Sequence, residues 1–221
     1  KVYLRTGVKA GHRYEDPAKA GLASLFGSMM AGTTESYSTE ELSGELEKLG
    51  SSIDVYAGND EIVVNVSSLT NNLDATLVLV EEVMLKAKFT EDEFNRLKFS
   101  QMESIANQVN EPTTLAGNQF NAVLYGEGHI MAIPSSGTEA TLAGVTLTDV
   151  QEYYYAKFAP NIANLVVVGD IEKDAVLGKL DFLKAWEKKE ITFAEEPATP
   201  EAGATKIYLV DKPDAAQSEI R

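Results

Sequence analysis

Two strand-like segments separated by a tight turn constrain this chain more than any other feature. Residues 51–56 and 61–69 flank Gly58-Asn59-Asp60, a glycine/asparagine turn of the kind that joins antiparallel strands. Ile62, Val64 and Val66 fall at every second position, so they share one face of the second strand. A chain built on such a hairpin has an antiparallel sheet with a buried side, which excludes a purely parallel, doubly wound architecture. Residues 2–10 read as a further strand, and Leu165-Val166-Val167-Val168 as a buried strand closed by Gly169-Asp170. Residues 206–211 read as a new strand, with another starting at Gln217.

Helices fill the intervals. Pro17 suits a helix start, and residues 18–30 are rich in Ala, Leu and Met. Ser38 and Glu41 form a capping box ahead of Leu42, Leu46 and Leu49, and Gly50 is the stop. Residues 72–87 carry Leu73, Leu77, Val80 and Met84 on one stripe. Thr90 with Glu93 opens a helix running to about Asn110, and Pro112 opens another ending near Gly126. Thr146 and Asp149 cap a helix over 146–158, and residues 174–186 form the last one. Residues 128–137 read as loop. The expected class is α+β: a mostly antiparallel sheet faced by helices.

Composition removes several functions. The formal charge is −15, from 19 basic and 34 acidic residues. Nucleic-acid binding needs clustered positive charge, so no nucleic-acid partner is expected. With no cysteine, thiolate nucleophiles and thiolate metal sites are excluded. No apolar run approaches the roughly 18–20 residues of a membrane-spanning helix. The chain opens on Lys1-Val2-Tyr3 as if inside a strand and stops at Glu219-Ile220-Arg221 entering another, so it is expected to be a piece of a longer protein.

The titratable residues form no catalytic set in sequence. His12 and His129 are the only histidines. His12, in Gly11-His12-Arg13-Tyr14, reads as a plain surface or turn residue. His129 has Glu127 nearby, but one His and one Glu do not make a zinc site, so a structural role is expected. Glu40-Glu41 and Glu81-Glu82 are adjacent pairs whose side chains diverge by about 100° on a helix, so they read as caps and solvated faces. Gly21, Gly27 and Gly32 lack the lysine of a phosphate loop. Asp149 and Asp170 read as a cap and a turn residue. The residues alone therefore give no catalytic site.

One segment is specific. Residues 21–33, Gly-Leu-Ala-Ser-Leu-Phe-Gly-Ser-Met-Met-Ala-Gly-Thr, resemble the helix that carries H-x-x-E-H in the insulinase/pitrilysin-type zinc peptidases, the inverzincins. Gly21, Leu22, Ala23, Met29, Gly32 and Thr33 match that frame. The zinc histidines fall on Ser24 and Ser28, the catalytic glutamate on Gly27, and the third ligand on Ser104, with Glu103 one residue off. Further resemblances follow in order: residues 46–56, Leu124-Tyr125-Gly126 with His129, residues 136–139, residues 147–154, and Pro160-Asn161 with residues 165–170. Residues 208–213 and 217–221 resemble the opening strands of the family's next repeat.

The resemblance implies a processing-peptidase-like half-shell built of two α+β repeats, in a half that has lost its metal site. Residues 1–186 are then the first repeat, 187–204 a linker, and 205–221 the truncated opening strands of the second. It implies no catalytic or metal-binding residue in this chain, with zinc confined to a catalytic half in the same chain or a partner subunit, and a peptide as substrate. A purely structural subunit of the same fold is the alternative. The family also points weakly to a bacterial periplasm or cell envelope.

Overall fold

The computed structural model describes residues 1–126, 128–193, 198, 201, 203–211, 218 and 220. Four strands, β1 (Val2–Val8), β2 (Ser52–Ala57), β3 (Ile62–Ser68) and β4 (Ala163–Gly169), form one sheet in the order β2-β3-β1-β4. Every pairing is antiparallel. Leu4 lies opposite Val66 on one side and Val167 on the other, and Val66 lies opposite Ile53. The register puts Val2, Leu4, Thr6 and Val8 on the same face as Ile62, Val64 and Val66. The expected hairpin and its inward stripe are both present.

The helices are α1 (Leu22–Met30), α2 (Thr39–Leu49), α3 (Leu73–Leu85), α4 (Glu91–Asn107), α5 (Pro112–Tyr125), α6 (Glu139–Ala143), α7 (Leu147–Lys157) and α8 (Lys173–Lys179). α1 and α3 pack on the sheet; α4 and α7 pack on α1. At the centre, Phe26 is fully buried, with its ring 5.4 Å from Tyr153 and 6.1 Å from Phe158. A buried aromatic of this kind is worth several kcal/mol against alanine, on the order of 3–5. The α3 stripe is buried as its spacing predicts. The Ser38–Glu41 capping box makes both of its hydrogen bonds.

Several boundaries differ for physical reasons. The expected 18–30 helix is split: Pro17–Lys19 is a 3-10 turn, and Gly21, at φ 99°, adopts a left-handed conformation before α1 begins. The last helix ends at Lys179 and continues as a 3-10 segment, Asp181–Ala185. α6 arises between the expected loop and α7, with Thr138 capping it through Thr141. β4 is not a buried strand. It lies at a sheet edge, and Val166 and Val168 are 50% and 62% exposed on the outer face. A run of four apolar residues cannot tell an edge strand from a central one.

Residues 206–211 form no strand, and Ile207 and Leu209 are almost wholly exposed. A strand exists only with a hydrogen-bonding neighbour, and none of the described residues pairs with this segment. Most residues from 212 on, including Gln217, lie outside the described residues. The start of the expected linker is docked: the Lys189 amide donates to Asn161 Oδ1 at 3.0 Å, and its ammonium donates to the Tyr154 carbonyl at 3.0 Å.

Candidate functional site

α1 begins where it does because of a carboxylate. Glu15 Oε1 accepts from the Ala23 amide at 2.6 Å and Oε2 from the Gly21 amide at 3.4 Å. Unpaired amides and the positive end of the helix dipole favour a negative group there. Glu15 is itself buried, and His12 accompanies it: Nδ1 lies 2.6 Å from Glu15 Oε2. His12 Nε2 faces the carbonyl oxygens of Ile133 at 2.8 Å and Ile130 at 3.1 Å. Three acceptor oxygens thus face the two ring nitrogens, an arrangement that an imidazolium, donating from both, would satisfy. Burial alone pulls the His12 pKa down; the bond to Glu15, its charge and the two carbonyls more than offset this and leave it raised.

His12 therefore sits in a turn as expected but not on the surface, being 1% exposed. Its partners lie 118 and 121 residues away, beyond any local reading of the sequence. The His12/Glu15 spacing was the one local signal. His129 is structural as read: its Nδ1 accepts from the Met131 amide at 3.0 Å and its ring lies 4.8 Å from Tyr125. Glu127 lies outside the described residues.

The motif positions occupy α1 and α4. Leu22, Ala23, Leu25, Phe26, Met29 and Met30 face the core, which leaves Ser24 half-buried and Ser28 exposed one turn apart. The Ser28 hydroxyl donates to the Ser24 carbonyl at 3.1 Å. Gly27 is buried against β2, where a Cβ would lie 3.1 Å from the Ala57 nitrogen and 3.2 Å from Tyr56 backbone carbons. α1 thus rests on β2 at a distance that glycine permits and a larger residue would open. Ser104 is exposed on α4, three residues beyond Gln101, whose side chain donates to the Gly21 carbonyl at 3.0 Å and the Ser136 carbonyl at 2.8 Å. The structure thus brings Ser24, Gly27 and Ser28 together on α1 and places Ser104 on the helix packed against it.

Zinc is held by imidazole, thiolate or carboxylate. Ser24 and Ser28 offer neutral hydroxyls, and Gly27 offers no side chain to activate water. The residues present do not fit a zinc ion. Among the described residues, no group of three or more His, Cys, Asp or Glu is placed to hold a metal.

The paired carboxylates are accounted for. Glu41 completes its cap. Glu81 and Glu82 converge on Lys86, at 2.9 and 3.0 Å, and push its ammonium up to about 12, Glu81 contributing most. Glu82 is not on a solvated face: it is 4% exposed and accepts from the Ser36 amide at 3.2 Å. Asp149 caps α7 as expected and also pairs with Lys19. Glu93 keeps the Thr90 cap through its amide, which donates to Thr90 Oγ1 at 3.4 Å, while its carboxylate also accepts from the Thr39 hydroxyl at 2.7 Å and the Thr33 amide at 3.3 Å.

β2 is an edge strand beside this region, with no strand on its outer side among the described residues. No helix of the described residues is long and apolar enough to cross a membrane.

This arrangement, a four-stranded antiparallel sheet with α1 laid across its β2–β3 side, is the fold of the peptidase M16 inactive domain from Pseudomonas fluorescens. That structure superposes with a TM-score of 0.80 at 21% identity, over 89% of this chain and 48% of the other. The insulinase (peptidase family M16) pattern matches residues 1–131 and the peptidase M16 inactive-domain pattern matches residues 144–220, so the chain belongs to peptidase family M16. An uncharacterized zinc protease of Mycobacterium leprae is 21% identical over 170 residues, 77% of this chain and 38% of that protein. The non-peptidase homolog YmxG of Helicobacter pylori is 19% identical over 179 residues, 81% of this chain and 41% of that protein. The chain thus spans about four-tenths of these curated relatives.

Proposed function

We propose that this chain is a non-catalytic, substrate-enclosing part of a zinc-dependent metalloendopeptidase, acting with a catalytic half elsewhere in the same chain or on a partner subunit. The observation that supports this reading is the sequence of α1: in the resemblance the frame of the zinc helix is kept, but its reactive positions fall on Ser24, Gly27 and Ser28, and the third ligand falls on Ser104, with Glu103 one residue off. Replacing two imidazoles and a general base removes both metal affinity and water activation. What remains is a wall that holds a peptide in place and excludes water around the reaction of the catalytic half. The open edge of β2 suits an extended peptide, which would bind through main-chain hydrogen bonds.

In this reading residues 1–186 are one repeat, 187–204 join it to a second, and 205–221 begin the strands of that second repeat. The exposure of Ile207 and Leu209 supports it, because apolar residues of a strand call for a sheet to join. A structural subunit with no peptidase role is the second reading, favoured by the resemblance to a relative named as a non-peptidase.

The direct test is metal analysis of the purified chain after equilibration with zinc, together with peptide hydrolysis with and without chelator. Absence of stoichiometric zinc and of hydrolysis is expected; tight zinc with chelator-sensitive hydrolysis overturns the proposal. Hydrogen exchange of β2 amides then separates the two readings. Slower exchange on adding an unstructured peptide supports enclosure, and unchanged exchange in the complete protein supports the scaffold.

A further inference from the structure

A cavity of 250 Å³ lies between the β2–β3 turn, the end of α4, α5 and residues 131–136. Its polar lining is almost entirely neutral amides and hydroxyls: Asn59, Asn118 and Asn121, with Thr114 and Ser135. Met131 and Ile133 supply an apolar floor. The chain as a whole carries a net charge of −15.

The lining is organised. Asn118 Nδ2 donates to Gln108 Oε1 at 3.2 Å, and Gln108 Nε2 donates to the Ser136 hydroxyl at 3.1 Å. This ladder fixes Asn118 and leaves its carbonyl oxygen available. Among the described residues, the side chains of Asn59, Thr114, Asn121 and Ser135 have no protein partner. His12 borders the cavity, but both its ring nitrogens are committed to Glu15 and to main-chain carbonyls. The described lining residues therefore offer paired neutral donors and acceptors and no free charge.

We infer that this cavity binds the main chain of an extended peptide, independent of its side chains. A peptide unit carries one donor and one acceptor, and a side-chain amide presents the same pair in one plane. Three asparagines therefore match two or three consecutive peptide units. A charged ligand would find no counter-charge, and a sugar ring would find no aromatic platform among the described lining residues. The position adds a further argument: Asn59 lies in the turn that ends β2, so a peptide laid along the β2 edge would reach the cavity at one end. The inference rests on the reading that this chain handles peptides, and it adds an anchoring point that ignores sequence.

The test is a titration of the ¹⁵N-labelled chain with trialanine capped by acetyl and amide groups, read at the side-chain amide signals of Asn59, Asn118 and Asn121. Saturable shifts at these signals are expected, with affinity falling about threefold to tenfold for Asn121→Ala. The same peptide methylated on its backbone nitrogens should not bind. Thr114→Val is a second variant, expected to weaken binding while the rest of the amide spectrum stays in place. Absence of saturable shifts overturns the inference. So does equal binding of the methylated peptide, or saturation by a neutral oligosaccharide where the peptide fails. Zinc-dependent hydrolysis by this chain would overturn the function proposed above and leave this result standing, whereas a silent titration overturns the cavity alone.

Discussion

His12 and Glu15 form an ion pair 2.6 Å across, with their side chains 2% and 0% exposed. The pair joins three segments: the turn that carries it, the start of α1 through the Ala23 amide, and residues 130–133 through two carbonyls. It thereby places the helix on which the family's metal site would stand.

The pair makes stability depend on pH. The folded His12 pKa is raised above 6.5, so its contribution is complete below about pH 6.5 and is lost as pH rises through the folded value. Urea denaturation at steps from pH 6 to 9 should show falling stability. His12→Ala leaves a buried carboxylate uncompensated and should cost about 3–5 kcal/mol while removing that slope. A flat profile in the wild-type chain would refute the assignment of an imidazolium.

Gly27 and Gly117 should respond to alanine with opposite signs. A Cβ at Gly27 meets β2 backbone at 3.1–3.2 Å, so Gly27→Ala should destabilise by about 1–3 kcal/mol. Gly117, in the middle of α5, has nothing within 4 Å of its added Cβ, so Gly117→Ala should stabilise by about 0.5–1 kcal/mol. Denaturant midpoints of the two variants decide the matter.

Three hydroxyls share one buried knot. Thr76 Oγ1 lies 2.8 Å from Ser51 Oγ and 2.9 Å from Ser68 Oγ. Thr76→Val keeps the shape but takes a partner from Ser68, which is wholly buried. A loss of about 1–3 kcal/mol is expected in thermal or urea unfolding, and a neutral result would mean that the knot relaxes around the change.

Ile207→Ser with Leu209→Ser should leave the melting temperature of this chain unchanged, since both side chains are exposed. In a longer protein containing the proposed second repeat, the same pair should destabilise by several kcal/mol, read as a lower melting temperature. Equal behaviour in both would refute the placement of residues 205–221 in a second sheet.

What could be read from the chain follows the range of the interactions involved. The hairpin about Asn59, the Ser38–Glu41 cap and the α3 stripe rest on contacts within a few residues, and all are present. The non-ligating chemistry of Ser24, Gly27 and Ser28 was equally legible, because a ligand type is a property of the residue itself. β4 was misplaced because burial of a strand depends on its neighbours in the sheet, which four valine-rich residues do not specify. His12 was misread for the same reason, since its carbonyl partners come from more than a hundred residues away.

The sequence by itself determined the α+β class, most helix limits and the neutral, non-ligating character of Ser24, Gly27 and Ser28, since these rest on local periodicity, capping and side-chain chemistry. Only the tertiary structure decided that His12 is buried against Glu15, that Gly27 lets α1 rest on β2, and that neutral amides from three segments line one cavity. Desolvation, close approach and convergence are properties of residues distant in the chain, and they exist only once the chain has folded.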